Sequence, residues 1–376
     1  MTVVFVLPNI PNPRMNKRIE LLKKSQNIKV LCVRRSSQNI WEPCHSDVEH
    51  VIYDIDLPTA KHILKRGFMS RKFHHAALKK IKSIKPGLLY VEGFDALCIA
   101  YHYKKVDANV KVIYEMADIR EEFIESPTSI LKQIITTLLK RSEARRIGAV
   151  DKLIITSMKF YESYYKNLIE IRKVLFIPNA PDISCFSTFK KKSGGKFTVG
   201  FIGGIRYLEQ MKMLVDVSDR VDCQVLFAGA GGTNDDFMKI KKYCEGKAQV
   251  IFTGRYDYKK EIASLYGKVD CVYAVYDASN PNVKIALPNK LYESVYCEIP
   301  IIVAKGTYLA EIVNQWGVGV SVSHNDPFDL EEQLKQLIYN TEKYEGITEN
   351  CKVHKRDIDI SAANAELYAA VTELVN

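Results

Sequence analysis

The sequence predicts an α/β protein in which two doubly wound parallel sheets follow one another along the chain. Two observations lead to this fold class. Short apolar runs rich in β-branched residues alternate with longer helical patterns, which is typical of parallel strands joined by crossover helices. The alternation stops at residues 187–196, STFKKKSGGK, and then begins again. This polar stretch is therefore interpreted as a linker between two domains.

The first domain, residues 1–186, is predicted from apolar runs that are each about one strand long. A helical pattern from about Pro13 to Lys24 follows the first run, and further helical patterns separate later ones. The runs are VVFVLP (3–8), IKVLCV (28–33), GLLYV (87–91), VKVIYE (110–115), KLIITS (152–157) and VLFIPN (174–179). They lack the apolar–polar alternation of a half-exposed sheet, so we expect helices on both faces.

The second domain, residues 197–355, repeats this pattern. Its strand-like runs are FTVGFIGG (197–204), QVLFAG (224–229), QVIFTG (249–254), CVYAVY (271–276), PIIVA (300–304) and VGVSV (318–322). The last amphipathic pattern, in residues 359–376, has no strand after it. We expect this helix to pack back on the first domain.

Composition limits the classes of function. Hydrophobic residues make up 47% of the 376 residues, enough for two cores, and the net charge of +10 indicates an anionic partner. That partner is a nucleic acid, a membrane surface or a phosphorylated small molecule. The nine cysteines are scattered without a Cys-x-x-Cys pair, so neither a disulfide framework nor a zinc site is expected. No run reaches the roughly 18 apolar residues of a membrane span, and we expect a cytoplasmic protein.

Three loops that follow predicted strands are candidates for ligand binding, since ligands bind at the carboxyl ends of parallel strands. In GFIGGIRY, Gly203 and Gly204 would let the backbone approach a ligand and Arg206 would pair with a phosphate. In FTGRYDY, Gly254 and Arg255 would lie near a flat base. Each loop taken alone also fits a plain surface turn. A third glycine-rich loop, AGAGG (228–232), lacks the full dinucleotide fingerprint.

The stretch PNKLYE combines a helix start with two opposite charges. If Asn289 caps the helix that follows Pro288, free N–H groups from Lys290 onward would face a ligand. The helix dipole and the charge of Lys290 favour a diphosphate there, and Glu293 could accept two hydrogen bonds from a ribose diol. The alternative is an ordinary capped helix whose glutamate only complements the dipole.

Taken together, these motifs resemble the retaining, nucleotide-sugar-dependent GT-B glycosyltransferases of family four. Within that family, the sequence resembles the enzymes of bacterial capsule and exopolysaccharide biosynthesis. The segments that carry it are NPRMNKRIELL (12–22), VIYEMADI (112–119), LFIPNAPD (175–182), GFIGGIRYLEQMKMLVD (200–216) and PNKLYESVYCEIPIIVAKGT (288–307). The family implies a GT-B fold, two Rossmann-like domains facing a cleft.

The resemblance also implies roles for individual residues. Glu293 would hold the ribose, and the turn of Pro288, Asn289, Lys290 and Leu291 would hold the diphosphate. Arg206 would bind a phosphate oxygen, with the Gly203–Gly204 loop beside it, and Gly254 and Arg255 would lie near the base. Arg206, Lys290 and Asp118 are the predicted catalytic residues.

The implied activity is a hexosyltransferase reaction with a nucleotide-sugar donor, UDP-linked, and a glycan or polyprenyl-linked acceptor. No metal ion is expected, because the cationic groups can do the work of a metal and no Asp-x-Asp metal site is recognised. Four positions depart from the family pattern: Ile285 replaces a second glutamate, Ala117 a histidine, Ala180 a glycine and Gln210 a lysine. A non-catalytic nucleotide-sugar-binding subunit of an assembly complex therefore remains an alternative.

The first domain also carries two basic, amphipathic stretches. Residues 59–85 contain nine Lys or Arg and no acidic residue, and residues 129–146 are similar in character. Such helices can lie on anionic lipid or form the solvated face of a packed helix. We expect the 59–85 stretch to contact an anionic membrane, at the inner face of the plasma membrane. Nucleic acid is the competing partner, but no nucleic-acid-binding motif is recognised and none is expected to bind.

Overall fold

The computed structural model describes residues 1–34, 42–55, 63–231, 235–358 and 360–375. The chain forms two compact units. Unit 1 contains Met1–Pro178 together with Ser361–Asn376, and unit 2 contains Asn179–Ile360. The division lies before the predicted domain limit at residue 186. Residues 187–196, which were interpreted as a linker, belong to unit 2, where Lys192 Nζ lies 2.5 Å from Asp270 Oδ2.

Unit 1 is built on a seven-stranded sheet with the order β3-β2-β1-β4-β5-β6-β7. Every strand pair is parallel. The strands are β1 (Thr2–Leu7), β2 (Asn27–Val33), β3 (Glu49–Tyr53), β4 (Leu88–Glu92), β5 (Lys111–Met116), β6 (Lys152–Ile155) and β7 (Val174–Phe176). Six of them coincide with predicted runs, whereas β3 was not predicted. It is a sheet-edge strand, partly exposed along its length, so it lacks the continuous apolar run of a central strand.

The helices of unit 1 include one from the far end of the chain. They are α1 (Pro13–Leu22), α2 (Ile63–Ile84), α3 (Gly93–Lys104), α4 (Glu121–Ile124), α5 (Ile130–Ile147), α6 (Met158–Phe160) and α15 (Ile360–Val375). Helix α1 begins where predicted, because the Asn12 side chain accepts a hydrogen bond from the Met15 N–H at 3.0 Å and Pro13 takes the first helical position. Helix α15 places Leu367 and Val371 in the core under β1, with both side chains buried.

Unit 2 is built on a six-stranded parallel sheet with the order β10-β9-β8-β11-β12-β13. The strands are β8 (Thr198–Ile202), β9 (Gln224–Ala228), β10 (Val250–Gly254), β11 (Cys271–Ala274), β12 (Ile301–Ala304) and β13 (Gly319–Val322). The helices are α7 (Leu208–Arg220), α8 (Asp236–Tyr243), α9 (Tyr258–Tyr266), α10 (Pro281–Ile285), α11 (Asn289–Tyr296), α12 (Tyr308–Trp316), α13 (Pro327–Tyr339) and α14 (Thr341–His354). All six strands were predicted. None of the described helices in either unit is long and apolar enough to cross a membrane.

Candidate donor site in unit 2

The candidate site lies where the strand order of unit 2 reverses. Strands β8 and β11 are neighbours at the middle of the sheet, but the chain leaves them toward opposite edges. In doubly wound sheets such a reversal opens a crevice at the carboxyl ends of the strands, where ligands bind. The loop after β8 carries Gly203, Gly204 and Arg206, and the connection after β11 leads to the start of α11.

Two glycines allow the loops after β8 and β9 to touch. Gly203 and Gly229 both have φ of +136°, a conformation that favours glycine. The Gly203 N–H donates to the Ala228 carbonyl at 2.8 Å. A Cβ at Gly229 would lie 2.0 Å from the Gly203 carbonyl oxygen, so no side chain fits at 229 in this arrangement. The bare backbone at Gly203 is thereby fixed at the edge of the crevice.

Lys290 brings its amine against this backbone. The side chain is 9% exposed, and a Cβ at Gly203 would lie 3.0 Å from its Nζ. The Nζ lies 4.3 Å from the centre of the Phe201 ring and donates to the Tyr276 hydroxyl at 3.2 Å. Among the described residues, no carboxylate forms an ion pair with it. The amine is thus held by aromatic groups, and no carboxylate of the described residues forms an ion pair with it.

The electrostatics of Lys290 follow from this burial. Burial lowers the pKa of Lys290 to about 8, the charge of Glu293 acts in the opposite direction, and the charge of Arg206 lowers the pKa further. A buried cation without a counter-ion is costly. An anionic ligand in the crevice would relieve that cost.

Arg206 adds a second positive charge to the same loop. Its side chain is exposed, and none of the ion pairs in the described chain involves it. The next residue, Tyr207, has φ of +68° at the position that precedes α7, and its ring lies 5.0 Å from the ring of Tyr276. Arg206 is therefore free to turn toward a ligand while the loop that carries it is held by packing.

Helix α11 begins one residue earlier than expected. The prediction that Asn289 caps the helix is wrong: Pro288 occupies the N-cap position, and no side chain caps the helix. The extended backbone of Pro288, with φ of −81° and ψ of 157°, makes Asn289 the first helical residue. The Leu291 N–H donates to the Pro288 carbonyl at 3.2 Å. This leaves the N–H groups of Asn289 and Lys290 ahead of the first hydrogen bond of the helix.

Glu293 is enclosed one turn into α11. It is 3% exposed, and its two carboxylate oxygens accept hydrogen bonds from the hydroxyls of Tyr258 at 2.7 Å and Tyr266 at 2.6 Å. Burial, together with the charge of Glu293, raises the pKa of both tyrosines, so they remain donors. A carboxylate oxygen has two lone pairs. Each oxygen of Glu293 therefore keeps the capacity to accept one more hydrogen bond.

These tyrosines were not identified from the sequence. Tyr258 and Tyr266 are the first and last residues of α9, and Tyr276 follows β11 by two residues. The signal available in the sequence was their position: Tyr258 and Tyr266 lie between the predicted strands β10 and β11, and Tyr276 closes the run that contains β11. What the sequence could not show is that all three hydroxyls converge on α11.

The remaining predicted residues lie on both units. Gly254 ends β10 with φ of +73°, and its carbonyl accepts from the Gly229 N–H at 2.9 Å, which joins its loop to that of Gly203. Arg255 beside it is exposed. Asp118 follows β5 in unit 1, where its exposed carboxylate helps to line a cavity. In the part of the chain that the structure describes, no three His, Cys, Asp or Glu side chains are grouped to hold a metal ion.

Part of the chain matches the sequence model of a known family. Residues 186–354 match the sequence model of the family described as Glycosyl transferases group 1. The matched residues all lie within unit 2. The candidate site residues from Gly203 to Glu293 fall within the matched range, whereas Asp118 lies outside it. No curated protein matches the chain in sequence.

Solved structures resemble both units of the chain. Sucrose-phosphate synthase from Thermosynechococcus elongatus matches with a TM-score of 0.77 at 12% identity, over 100% of this chain and 99% of that one. HepE from Anabaena, solved in complex with UDP, matches with a TM-score of 0.71 at 15% identity, over 99% and 100%. WaaG, a glycosyltransferase involved in lipopolysaccharide biosynthesis, matches with a TM-score of 0.68 at 12% identity, over 97% and 98%. The chain has the GT-B fold, built from two Rossmann-like domains.

Proposed function

We propose that this protein is a retaining hexosyltransferase that moves a sugar from a UDP-linked donor to a glycan or polyprenyl-linked acceptor during surface polysaccharide biosynthesis. The group 1 glycosyltransferase domain supports sugar transfer. HepE from Anabaena, which has a similar fold, has been solved in complex with UDP and with UDP-glucose. WaaG, another protein of similar fold, is involved in lipopolysaccharide biosynthesis. The observation that carries the proposal is the buried amine of Lys290 beside Gly203, with which no carboxylate of the described residues forms an ion pair.

A diphosphate is the ligand that best satisfies this group. It would bring negative charge to the Nζ of Lys290, to the exposed guanidinium of Arg206 and to the free N–H groups at the start of α11. Negative charge on the leaving UDP increases as the glycosidic bond breaks. Cationic groups and N–H groups that are already in place stabilise that charge more strongly in the transition state than in the ground state.

The reaction then needs no metal ion, since Lys290 and Arg206 supply the positive charge that a metal would otherwise provide. No dedicated nucleophile is assigned in unit 2, so a phosphate oxygen of the leaving group takes the acceptor proton. Glu293, oriented by Tyr258 and Tyr266, accepts hydrogen bonds from the ribose diol. Gly254 and Arg255 lie toward the base, and Asp118 remains the proposed catalytic residue of unit 1.

The experiment that tests the proposal combines binding and turnover. Thermal unfolding is followed with a panel of UDP-, GDP-, TDP- and ADP-linked sugars, and release of the nucleoside diphosphate is measured for each. Stabilisation by a UDP-sugar together with UDP release is expected. The double variant Arg206→Ala, Lys290→Met should bind less donor and release no UDP. No stabilisation by any nucleotide sugar would overturn the proposal.

A non-catalytic, nucleotide-sugar-binding subunit is the second candidate. The observation that favours it is Ile285, which stands where the family resemblance implies a glutamate and is 8% exposed on α10. An apolar side chain there cannot accept a hydrogen bond from a donor sugar. Stabilisation by a UDP-sugar without release of UDP, in the presence of varied glycan acceptors, would favour this candidate.

We also propose that unit 1 contacts an anionic membrane. On α2, the described cations Lys65, Arg71 and Lys72 are exposed, while Phe73 is in the core; residues 59–62 lie outside the described residues. Arg66 is not part of this surface, because it donates to Asp95 at 3.3 Å. The exposed apolar side chains are Phe68 on α2 and Ile130, Leu131, Ile134 and Leu138 on α5, each more than half exposed.

Basic side chains and an exposed apolar face suit an anionic bilayer, where each cation contributes about 1 kcal/mol. Replacing Lys65, Arg71 and Lys72 by glutamine should reduce sedimentation with vesicles that contain phosphatidylglycerol. Replacing Ile134 and Leu138 by serine should do the same at high salt. UDP binding should not change in either variant. Wild-type protein that stays in solution with such vesicles at low salt would refute the proposal.

A further inference from the structure

Helix α13 carries a regular row of exposed side chains on the face turned away from the core of unit 2. Its inner face is formed by Leu330, Leu334 and Leu337, which are buried. The exposed residues on the opposite side of the helix are Phe328, Glu332, Lys335 and Tyr339. They follow one another at spacings of four, three and four residues, so they form a single stripe along the helix.

The two ends of this stripe are aromatic side chains that are largely exposed. Phe328 is 74% exposed and Tyr339 is 67% exposed. The guanidinium of Arg220 lies 5.8 Å from the centre of the Phe328 ring. The Tyr339 hydroxyl donates to the Val221 carbonyl at 3.3 Å. Aromatic rings beside an arginine are typical of the centres of protein interfaces, and rings that are already oriented lose less entropy on binding.

The middle of the stripe carries one acidic and one basic side chain. Glu332 accepts a hydrogen bond from the Gln336 side chain at 3.2 Å. The Nζ of Lys335 lies 2.8 Å from Glu331 Oε1, and the Lys335 side chain is 46% exposed. An exposed ion pair of this kind contributes little to stability. Lys335 can therefore exchange this contact for one with a partner molecule.

The order of these four side chains is complementary to its own reverse. Phe328 and Tyr339 are centred on the same point of the helix as Glu332 and Lys335, between residues 333 and 334. Two copies of α13 can lie antiparallel about a two-fold axis through this point. Each Phe328 then faces Tyr339 of the other copy, and each Glu332 faces Lys335 of the other copy. A parallel arrangement would instead place like charges opposite each other.

We propose that α13 is the contact surface of a homodimer, in which two copies of this chain pack antiparallel through the stripe of residues 328–339. The aromatic pairs provide the apolar area, while the charge pairs fix the register and the direction of the helices. One helix face from each copy is a small interface, so the dimer should be weak, with a Kd in the micromolar range. The inference does not depend on the proposed function, because the candidate donor site takes no part in the contact.

Sedimentation velocity of the full chain from roughly 1 to 200 µM measures the dimer. The average mass should rise from that of one chain toward that of two as the concentration increases. Phe328→Ala should raise the Kd by at least about tenfold, because both copies lose the ring. Ile171→Ser removes an exposed apolar side chain of unit 1 and should leave the Kd unchanged.

Charge-reversed variants test the register directly. Glu332→Lys leaves only lysines at the centre of the contact and Lys335→Glu leaves only glutamates, so each variant alone should remain monomeric over this range. A mixture of the two variants places every lysine opposite a glutamate and should restore a dimer. The variant that carries both exchanges should dimerise with itself. Thermal unfolding of each variant shows that it is folded.

The inference is overturned if the wild-type protein stays monomeric over the whole range. A dimer that neither Phe328→Ala nor the charge reversals weaken would lie on another surface and would also overturn it. The same holds if the mixture of the two folded variants stays monomeric. A monomeric wild-type protein whose sedimentation with lipid vesicles falls in Phe328→Ala would mean that a membrane, and not a second copy, covers α13.

Discussion

Raising the pH should weaken the binding of UDP, because the free protein loses a proton from Lys290 near pH 8. Burial lowers the pKa of this amine to about 8, and a bound diphosphate would raise it again by supplying the missing negative charge. The pKa is thus lower in the free protein than in the complex. UDP should therefore bind with its full affinity below pH 8, and this affinity should fall as the pH rises through that value.

The size of the effect follows from the fraction of protonated amine. At pH 9.5, one and a half units above this pKa, roughly 3% of the free protein carries the proton, so the Kd of UDP should be about 30-fold higher than at pH 7. Isothermal calorimetry between pH 7 and 9.5 measures this change. The phosphate of UDP has a second pKa of about 6, so it contributes little within that range.

Two variants separate Lys290 from other titrating groups. Lys290→Met should bind UDP weakly at pH 7 and show almost no dependence on pH, so that its Kd approaches the wild-type value at pH 9.5. Lys268→Met removes an exposed lysine of unit 2 and should reproduce the wild-type curve. A wild-type Kd that is constant from pH 7 to 9.5, or an equal slope in Lys290→Met, would refute the reasoning.

Three further outcomes are expected. The Lys290→Met variant should have a higher free energy of unfolding in urea at pH 7, by roughly 3 kcal/mol, because the pKa of the buried amine is lowered from 10.5 to about 8. This gain should disappear above pH 10, and an unchanged or lower urea midpoint at pH 7 would mean that burying the amine costs no stability. Glu293→Ala should weaken UDP binding by about 1–3 kcal/mol in calorimetry with 2′,3′-dideoxy-UDP unaffected, and equal losses for both ligands would contradict the ribose assignment. Arg206→Ala should lower kcat more than it raises KM in steady-state assays, whereas a change confined to KM would make Arg206 a residue that only positions the donor.

Much of the fold could be predicted from the sequence because the central strands are buried on both faces. A run such as VVFVL in β1 has nowhere to place a polar side chain, so burial is visible directly in its composition. The edge strand β3 shows the limit of this signal. None of the five residues of its sequence, EHVIY, is buried, and the sequence resembles many loop segments until its pairing with β2 is known.

The candidate site was predictable where its residues are neighbours in the chain. Pro288, Lys290 and Glu293 lie within two turns, so a helix start with a cation and a carboxylate could be recognised locally. The tyrosines that hold these charges come from elsewhere: Tyr258 lies 35 residues before Glu293, and Tyr276 lies 14 residues before Lys290. Such partners are set by the order of strands in the sheet, which single-sequence patterns do not contain.

The division of the chain into units has a consequence for biosynthesis. Unit 2 is one uninterrupted segment, Asn179–Ile360, whereas unit 1 takes α15 from beyond it. Leu367 and Val371 fill the core beneath β1, so residues 1–178 leave the ribosome with an apolar face uncovered. They must wait for the whole of unit 2 to be translated, at about 5–20 residues per second. The segment made second is thus able to finish folding first, while the N-terminal residues still lack α15.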